Sequence, residues 1–119
     1  MLNVLSLFSG IASIELGIKE AGLTDTFSVT RFVEIHPYRQ KVLQRHHPNI
    51  PCHDDIRTFS PKPGEYRVIV GGSPCQNLSL AGNRAGIGGD RSSLWFEMLR
   101  VIEIAQPDYV LWENVPGCL

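Results

Sequence analysis

Short apolar runs that end on glycine or a polar residue alternate along the chain with stretches whose apolar residues recur three or four apart. Leu2-Asn3-Val4-Leu5-Ser6-Leu7-Phe8 reads as a strand closed by a turn at Ser9-Gly10. Ile11, Ile14, Glu15, Ile18 and Ala21 follow at helical spacing, with Gly22 as the stop. Phe27 to Val33 is a second strand ending at Glu34. His36-Pro37 opens a second helix through Tyr38, Val42 and Leu43, which carries Arg45, His46 and His47 in its last turn and halts at Pro48. A short third strand near Ile50 to His53 leads into Asp54-Asp55-Ile56, and Ser60 to Glu65, with two prolines and a glycine, is a loop. Arg67 to Val70 is a fourth strand. Ser92 to Ala105 is an amphipathic helix with Leu94, Met98, Val101 and Ile102 or Ala105 on one face, and Asp108 to Trp112 is a fifth strand.

Alternating strands and helices predict an α/β fold built on a mostly parallel sheet with right-handed crossovers. The polar residues then collect where strands end: Ser9 and Gly10, Glu34, Asp55, Ser73 to Cys75, Glu113 and Asn114. In open α/β sheets that edge is where ligands bind.

A chain of 119 residues that is 43% hydrophobic suffices for one domain with a core. Eleven Lys and Arg against twelve Asp and Glu give a formal charge of −1, so no basic stripe announces nucleic acid. Three widely spaced cysteines, Cys52, Cys75 and Cys118, suit free thiols in a reducing, cytoplasmic setting. The apolar start is too short to span a bilayer and lacks the basic flank of a signal peptide, so no membrane association is expected. His46, His47, Cys52 and His53 match no usual zinc spacing, and no metal is expected. Trp95 and Trp112 read as core or interface residues.

Two stretches carry candidate chemistry. Gly71-Gly72-Ser73-Pro74-Cys75-Gln76 follows a β-branched run; the glycines permit a sharp turn or close approach to a ligand, and Pro74 stiffens the elbow that presents Cys75. Phe8-Ser9-Gly10-Ile11-Ala12-Ser13 fills the first strand-to-helix turn but lacks the second and third glycines of a dinucleotide fingerprint. Glu34, at the end of the second strand, is where an acid commonly binds ribose hydroxyls, and Asp55 is placed to accept from an adenine amino group. Both also read as solvated loop acids or helix caps. Taken with the turn, they point to an adenosine-containing ligand whose charged end is not a pyrophosphate.

At Pro74-Cys75-Gln76 and Glu113-Asn114-Val115 the sequence resembles the cytosine-5 DNA methyltransferases. Phe8-Ser9-Gly10 resembles that family's cofactor loop, Glu34 its ribose-binding acid, Asp55-Ile56 its adenine-side pair, and Gly72-Ser73-Pro74-Cys75 its nucleophile motif. Arg91 to Glu97 resembles the helix start whose leucine, here Leu94, borders the cofactor.

The resemblance implies a Rossmann-like S-adenosylmethionine-dependent fold, with the cofactor held by Phe8, Ser9, Gly10, Ile11, Glu34, Ile35, Asp55, Ile56, Gly72, Pro74 and Leu94. It makes Cys75 the nucleophile and Glu113 the acid that binds the base. Ser73, Gln76, Asn83, Arg84, Arg91 and Asn114 become the DNA-side residues, with Gly82 to Gly89 a candidate lid or a plain loop. Double-stranded DNA with a flipped cytosine is the implied partner, in restriction-modification or regulation.

Ala12 and Ser13 stand where the family often has glycines. An arginine-bearing motif, a target-recognition domain and a last cofactor motif are not found, so residues 1–119 are expected to be the N-terminal part of a truncated catalytic domain. A partner chain or homodimer is then expected to supply the missing elements. Other readings are an inactive or partner-dependent S-adenosylmethionine-binding fragment, a subunit of a split enzyme, and a tRNA cytosine-5 methyltransferase.

Overall fold

The computed structural model describes residues 1–9, 13–72 and 93–112. Five strands, β1 (Leu2–Leu7), β2 (Phe27–Val33), β3 (Cys52–His53), β4 (Val68–Gly71) and β5 (Tyr109–Trp112), form one sheet in the order β3-β2-β1-β4-β5. Every pairing is parallel. Helices α1 (Ser13–Glu20), α2 (Pro37–His46) and α3 (Ser93–Ala105) connect them, and a 3₁₀ turn at Ile56–Thr58 follows β3. Among the described residues no helix is long and apolar enough to cross a membrane.

Alternation along the strands divides the core in two. Leu5, Leu7, Val33 and Ile69 meet Met98, Val101 and Ala105 of α3, together with Ile56, Phe59 and Tyr66. Val4, Val29, Phe32, Val68 and Val70 face the other way, onto Leu43 of α2 and Ile14 and Ile18 of α1. Val29 and Phe32 are three residues apart yet share a face, which a regular strand forbids. The pairing explains it: Val4 lies opposite Val29 but Leu5 opposite Arg31, so Thr30 is an extra residue in a bulge that reverses the alternation. The bulge brings Phe32 onto the α2 side and sends Val33, the last residue before Glu34, onto the α3 side.

The helix ends follow from local chemistry. Gly22, at φ +72°, ends α1: its N–H donates to Lys19 O at 3.1 Å, and the Leu23 N–H donates to Ile18 O at 3.0 Å. This paired closure uses a left-handed residue that glycine adopts without penalty. At α2, His36 is the N-cap; its Nδ1 accepts from the Tyr38 N–H at 3.2 Å, and Pro37 occupies the first turn.

Several element limits differ from the sequence reading. β1 stops at Leu7 because Phe8 turns into the left-handed region, at φ 52°. β3 is reduced to Cys52–His53, paired with Phe32 and Val33. β4 runs one residue further, through Gly71, because that residue pairs with both Leu7 and Trp112. β5 begins at Tyr109; the Asp108 side chain is instead bound to Arg67. The 3₁₀ turn is an addition, capped by Asp55.

Candidate cofactor site at the carboxyl edge of the sheet

The strand order runs 3-2-1 on one side and continues to 4-5 on the other, so it reverses between β1 and β4. At such a switch point the following loops diverge to opposite faces and leave a crevice at the carboxyl ends of the strands. Gly71 makes the junction possible. A Cβ there would stand 3.0 Å from both the Cβ and the carbonyl oxygen of Leu7. The sequence reading assigned this glycine pair to turning or ligand approach; at Gly71 the need is close packing of two strands. Gly72 follows it, exposed.

On the β1 side, Phe8 leaves the strand in a conformation uncommon for a residue with a side chain, of a kind that collects at functional sites. It is half-buried and packs, like Leu94 and Trp95 of α3, against the core cluster on the α3 face. Ser9 is tied down twice: its Oγ donates to Ser6 O at 2.7 Å and its N–H donates to Val33 O at 3.2 Å. The second bond ties the β1 exit to the end of β2, one residue short of Glu34. Trp95 stacks on Trp112 with ring centroids 4.2 Å apart, joining the start of α3 to the end of β5.

Glu34 is buried, only 4% exposed. Its Oε2 accepts from the His36 N–H at 2.9 Å, and the Arg39 Nη1 lies 3.9 Å from that oxygen. Its backbone is held as well: the N–H donates to His53 O at 2.9 Å, and the carbonyl accepts from Gln40 Nε2 at 2.6 Å. The next residue, Ile35, is 57% exposed. A fixed acid beside an uncovered aliphatic side chain offers a hydrogen-bond acceptor and an apolar surface side by side.

Asp55 caps the 3₁₀ turn. Its Oδ1 accepts from the Arg57 N–H at 2.9 Å and from Arg57 Nε at 3.0 Å, and its Oδ2 accepts from Arg57 Nη2 at 3.1 Å. These bonds hold its carboxyl below the usual range. The Ile56 side chain is spent in the core, while its carbonyl accepts from Arg100 Nη2 of α3 at 2.8 Å. The same nitrogen donates to Phe59 O at 2.9 Å, so one guanidinium clamps both sides of the turn. Ile56 thus anchors the turn to the core and to α3, directly after Asp55.

Three features lay outside the sequence reading: the roles of Arg57 and Arg100, and the burial of Glu15. Asp-x-Arg spacing is a local cue that could have singled out Arg57. Nothing local marks Arg100, whose acceptors lie 44 and 41 residues away in sequence. Glu15, placed by periodicity on a helix face, is a buried carboxylate; neither oxygen has a hydrogen-bond partner among the described residues. Burial pushes its pKa up to about 7. The Cys52 thiol is likewise raised by burial, which makes it a poor nucleophile.

The structure thus brings Phe8, Ser9, Glu34, Ile35, Asp55, Gly72 and Leu94 to the ends of adjoining strands or the helix start beside them. Gly10, Ile11, Ser73, Pro74, Cys75, Gln76, Asn83, Arg84, Arg91, Glu113 and Asn114 lie outside the described residues, as does the Gly82 to Gly89 loop.

Known proteins resemble this chain over nearly its whole length. The chain is 38% identical over 122 residues to the type II methyltransferase M2.BsuMI of Bacillus subtilis, covering 99% of this chain and 30% of the relative. It is 34% identical over 121 residues to the type II methyltransferase M.NgoPII of Neisseria gonorrhoeae, covering 99% of this chain and 34% of that relative. The chain therefore spans about a third of the length of these curated relatives. The crystal structure of the S. pombe Dnmt2 methyltransferase superposes on 98% of this chain and 37% of its own, with a TM-score of 0.75 at 26% identity. The family model for C-5 cytosine-specific DNA methylases matches residues 2–119, and the chain belongs to that family.

Proposed function

We propose that this chain forms the cofactor-binding and nucleophile-bearing part of a DNA (cytosine-5)-methyltransferase that uses S-adenosylmethionine. The observation that carries the reading is the convergence of a buried acid, Glu34, an exposed aliphatic, Ile35, and a capped acid, Asp55, beside the β1 exit at a topological switch point. This donor set fits an adenosine: an acid for the ribose hydroxyls, an apolar surface for a base face, and an acceptor for an exocyclic amine. Glu34 binds the ribose, Ile35 lies against the adenine, Asp55 meets its amino edge, and Phe8, Ser9, Gly72 and Leu94 border the pocket. Gly10, Ile11 and Pro74 complete it. When bound, S-adenosylmethionine supplies an electrophilic methyl group.

The chain's own residues make cytosine able to accept that methyl. Carbon 5 of cytosine is a weak nucleophile. The thiolate of Cys75 adds to carbon 6, forming a carbon–sulfur bond and moving an electron pair toward carbon 5. Glu113 binds the N3 and exocyclic-amine edge and stabilises the charge that develops there. After carbon 5 is methylated, a base removes its proton, the pair re-forms the double bond, and the Cys75 thiolate is expelled. This is covalent catalysis that divides one difficult step into easier ones. The cytosine must leave the duplex to reach Cys75. Ser73, Gln76, Asn83, Arg84, Arg91 and Asn114 are assigned to the DNA side. All four residues of β5 are exposed at a sheet edge, which supports a partner chain or second copy covering that edge.

Covalent trapping tests the assignment. DNA containing 5-fluorocytosine carries no removable proton at carbon 5, so with S-adenosylmethionine the adduct on Cys75 should persist and migrate as a denaturation-resistant complex. Cys75→Ser should abolish it; a complex that survives this substitution contradicts the assignment.

A further inference from the structure

Asp55 is held by one residue through three hydrogen bonds. Oδ1 accepts both the backbone N–H and the Nε–H of Arg57, at 2.9 and 3.0 Å, and Oδ2 accepts Nη2 at 3.1 Å. A carboxylate offers about four lone-pair sites. Both sites on Oδ1 are occupied and one on Oδ2, which leaves a single acceptor site on Oδ2. The turn beneath is fixed independently, by Arg100 on the Ile56 and Phe59 carbonyls and by Thr58 Oγ1, which donates to Asp55 O at 2.9 Å and lies 2.7 Å from His53 Nε2. What remains free is the rotation of the carboxyl group, and Arg57 sets it.

We propose that Arg57 is a positioning residue that fixes Asp55 as a one-site acceptor and so makes the pocket select a 6-amino over a 6-oxo purine. The proposal rests on the cofactor reading above. An ionised carboxylate only accepts, so a 6-amino group finds its partner while a 6-oxo group meets lone pair against lone pair. A protonated Asp55 would donate and lose that distinction. The side-on fork of the guanidinium holds the carboxyl plane and so fixes the direction of the one free lone pair; the carboxyl, already ionised at neutral pH, is displaced further toward its charged form. A lysine at position 57 would supply the charge without the fork.

The test is calorimetric titration of the chain with S-adenosylhomocysteine and S-inosylhomocysteine, which differ in the 6-amino and 6-oxo groups. The unsubstituted protein should prefer the adenosyl ligand. Arg57→Ala should reduce that preference by about two- to fivefold, the range expected for one well-formed exposed ion pair, and Arg57→Lys should recover only part of it. Asp55→Asn, whose amide can donate to a 6-oxo group, should reduce the preference further. An unchanged ratio in Arg57→Ala overturns the proposal, including the case where both ligands weaken equally, which marks Arg57 as merely structural. A ratio insensitive to Asp55→Asn instead overturns the placement of Asp55 at the adenine. Failure of the folded, unsubstituted chain to bind either ligand overturns the cofactor reading and the proposal with it.

Discussion

At residue scale, two acids at strand ends, Asp55 and Glu34, and one on α1, Glu15, differ because their surroundings differ. Asp55 accepts hydrogen bonds from Arg57, which hold its carboxyl below the usual range. Glu34 is buried but met by the His36 N–H. Glu15 is shielded, unpartnered among the described residues, and raised to about 7 from an ordinary 4.5. The sign follows from linkage. A carboxyl with a raised folded-state pKa is best tolerated when protonated, so its favourable contribution is complete below 4.5 and is lost as pH rises through about 7. Glu15→Gln mimics the protonated form. Relative to the parent it should be nearly neutral at pH 4 and more stable by about 1–2 kcal/mol at pH 8, after allowance for solvent near the first turn of α1. Urea denaturation at both pH values checks this; the same difference at pH 4 and pH 8 contradicts it.

At element scale, contacts between strands decide more than the propensity of each strand. Gly71 lies opposite Leu7 with no room for a side chain. Gly71→Ala must push β1 and β4 apart at the switch point, since its Cβ would meet backbone as well as side chain. It should destabilise the chain by about 1–3 kcal/mol in urea denaturation; an unchanged midpoint would show that the junction yields freely. The bulge at Thr30 is the counterpart on the other side of β1. Phe27-Ser28-Val29-Thr30-Arg31-Phe32-Val33 reads plainly as a strand, but its alternation alone puts Val29, Arg31 and Val33 on one face. Only the pairing with β1 reveals that Val29 lies with Phe32. The order of elements was legible because each strand is a compact apolar run ending at a glycine or polar residue. The bulge and the 3₁₀ turn were not, because both arise from how segments meet.

For the whole molecule, the sheet arranges five strand ends so that residues distant in sequence share one edge. The acids of that edge were legible one by one: Glu34 follows the apolar end of the second strand, and Asp55 follows the short third strand. Their anchoring was not, because Arg100 reaches the turn from α3 and Ser9 bonds across to β2. Sequence also left Asp55 open between a cap and a ligand acid, and the structure gives it the cap while leaving one acceptor site for a ligand. On the α1 side, a cavity of about 230 Å³ lined by Val4, Ile14, Ile18, Val68, Val70 and Leu111 is almost wholly apolar and lies beside the exposed β5 edge. It shares no residue with the acids of the proposed pocket, so the cofactor reading places the ligand at the strand ends and not in this apolar cavity.

The measurement that bears most directly on that reading is calorimetric titration of the chain with S-adenosylmethionine, with Glu34→Ala as its control. Specific binding is expected, weakened in the control by about 1.5–3 kcal/mol, or roughly ten- to a hundredfold, for loss of charge-assisted hydrogen bonds to the ribose. Equal affinity in the two proteins would contradict a cofactor pocket built at the carboxyl ends of these strands, and no binding by a chain that is demonstrably folded would contradict a pocket complete within residues 1–119.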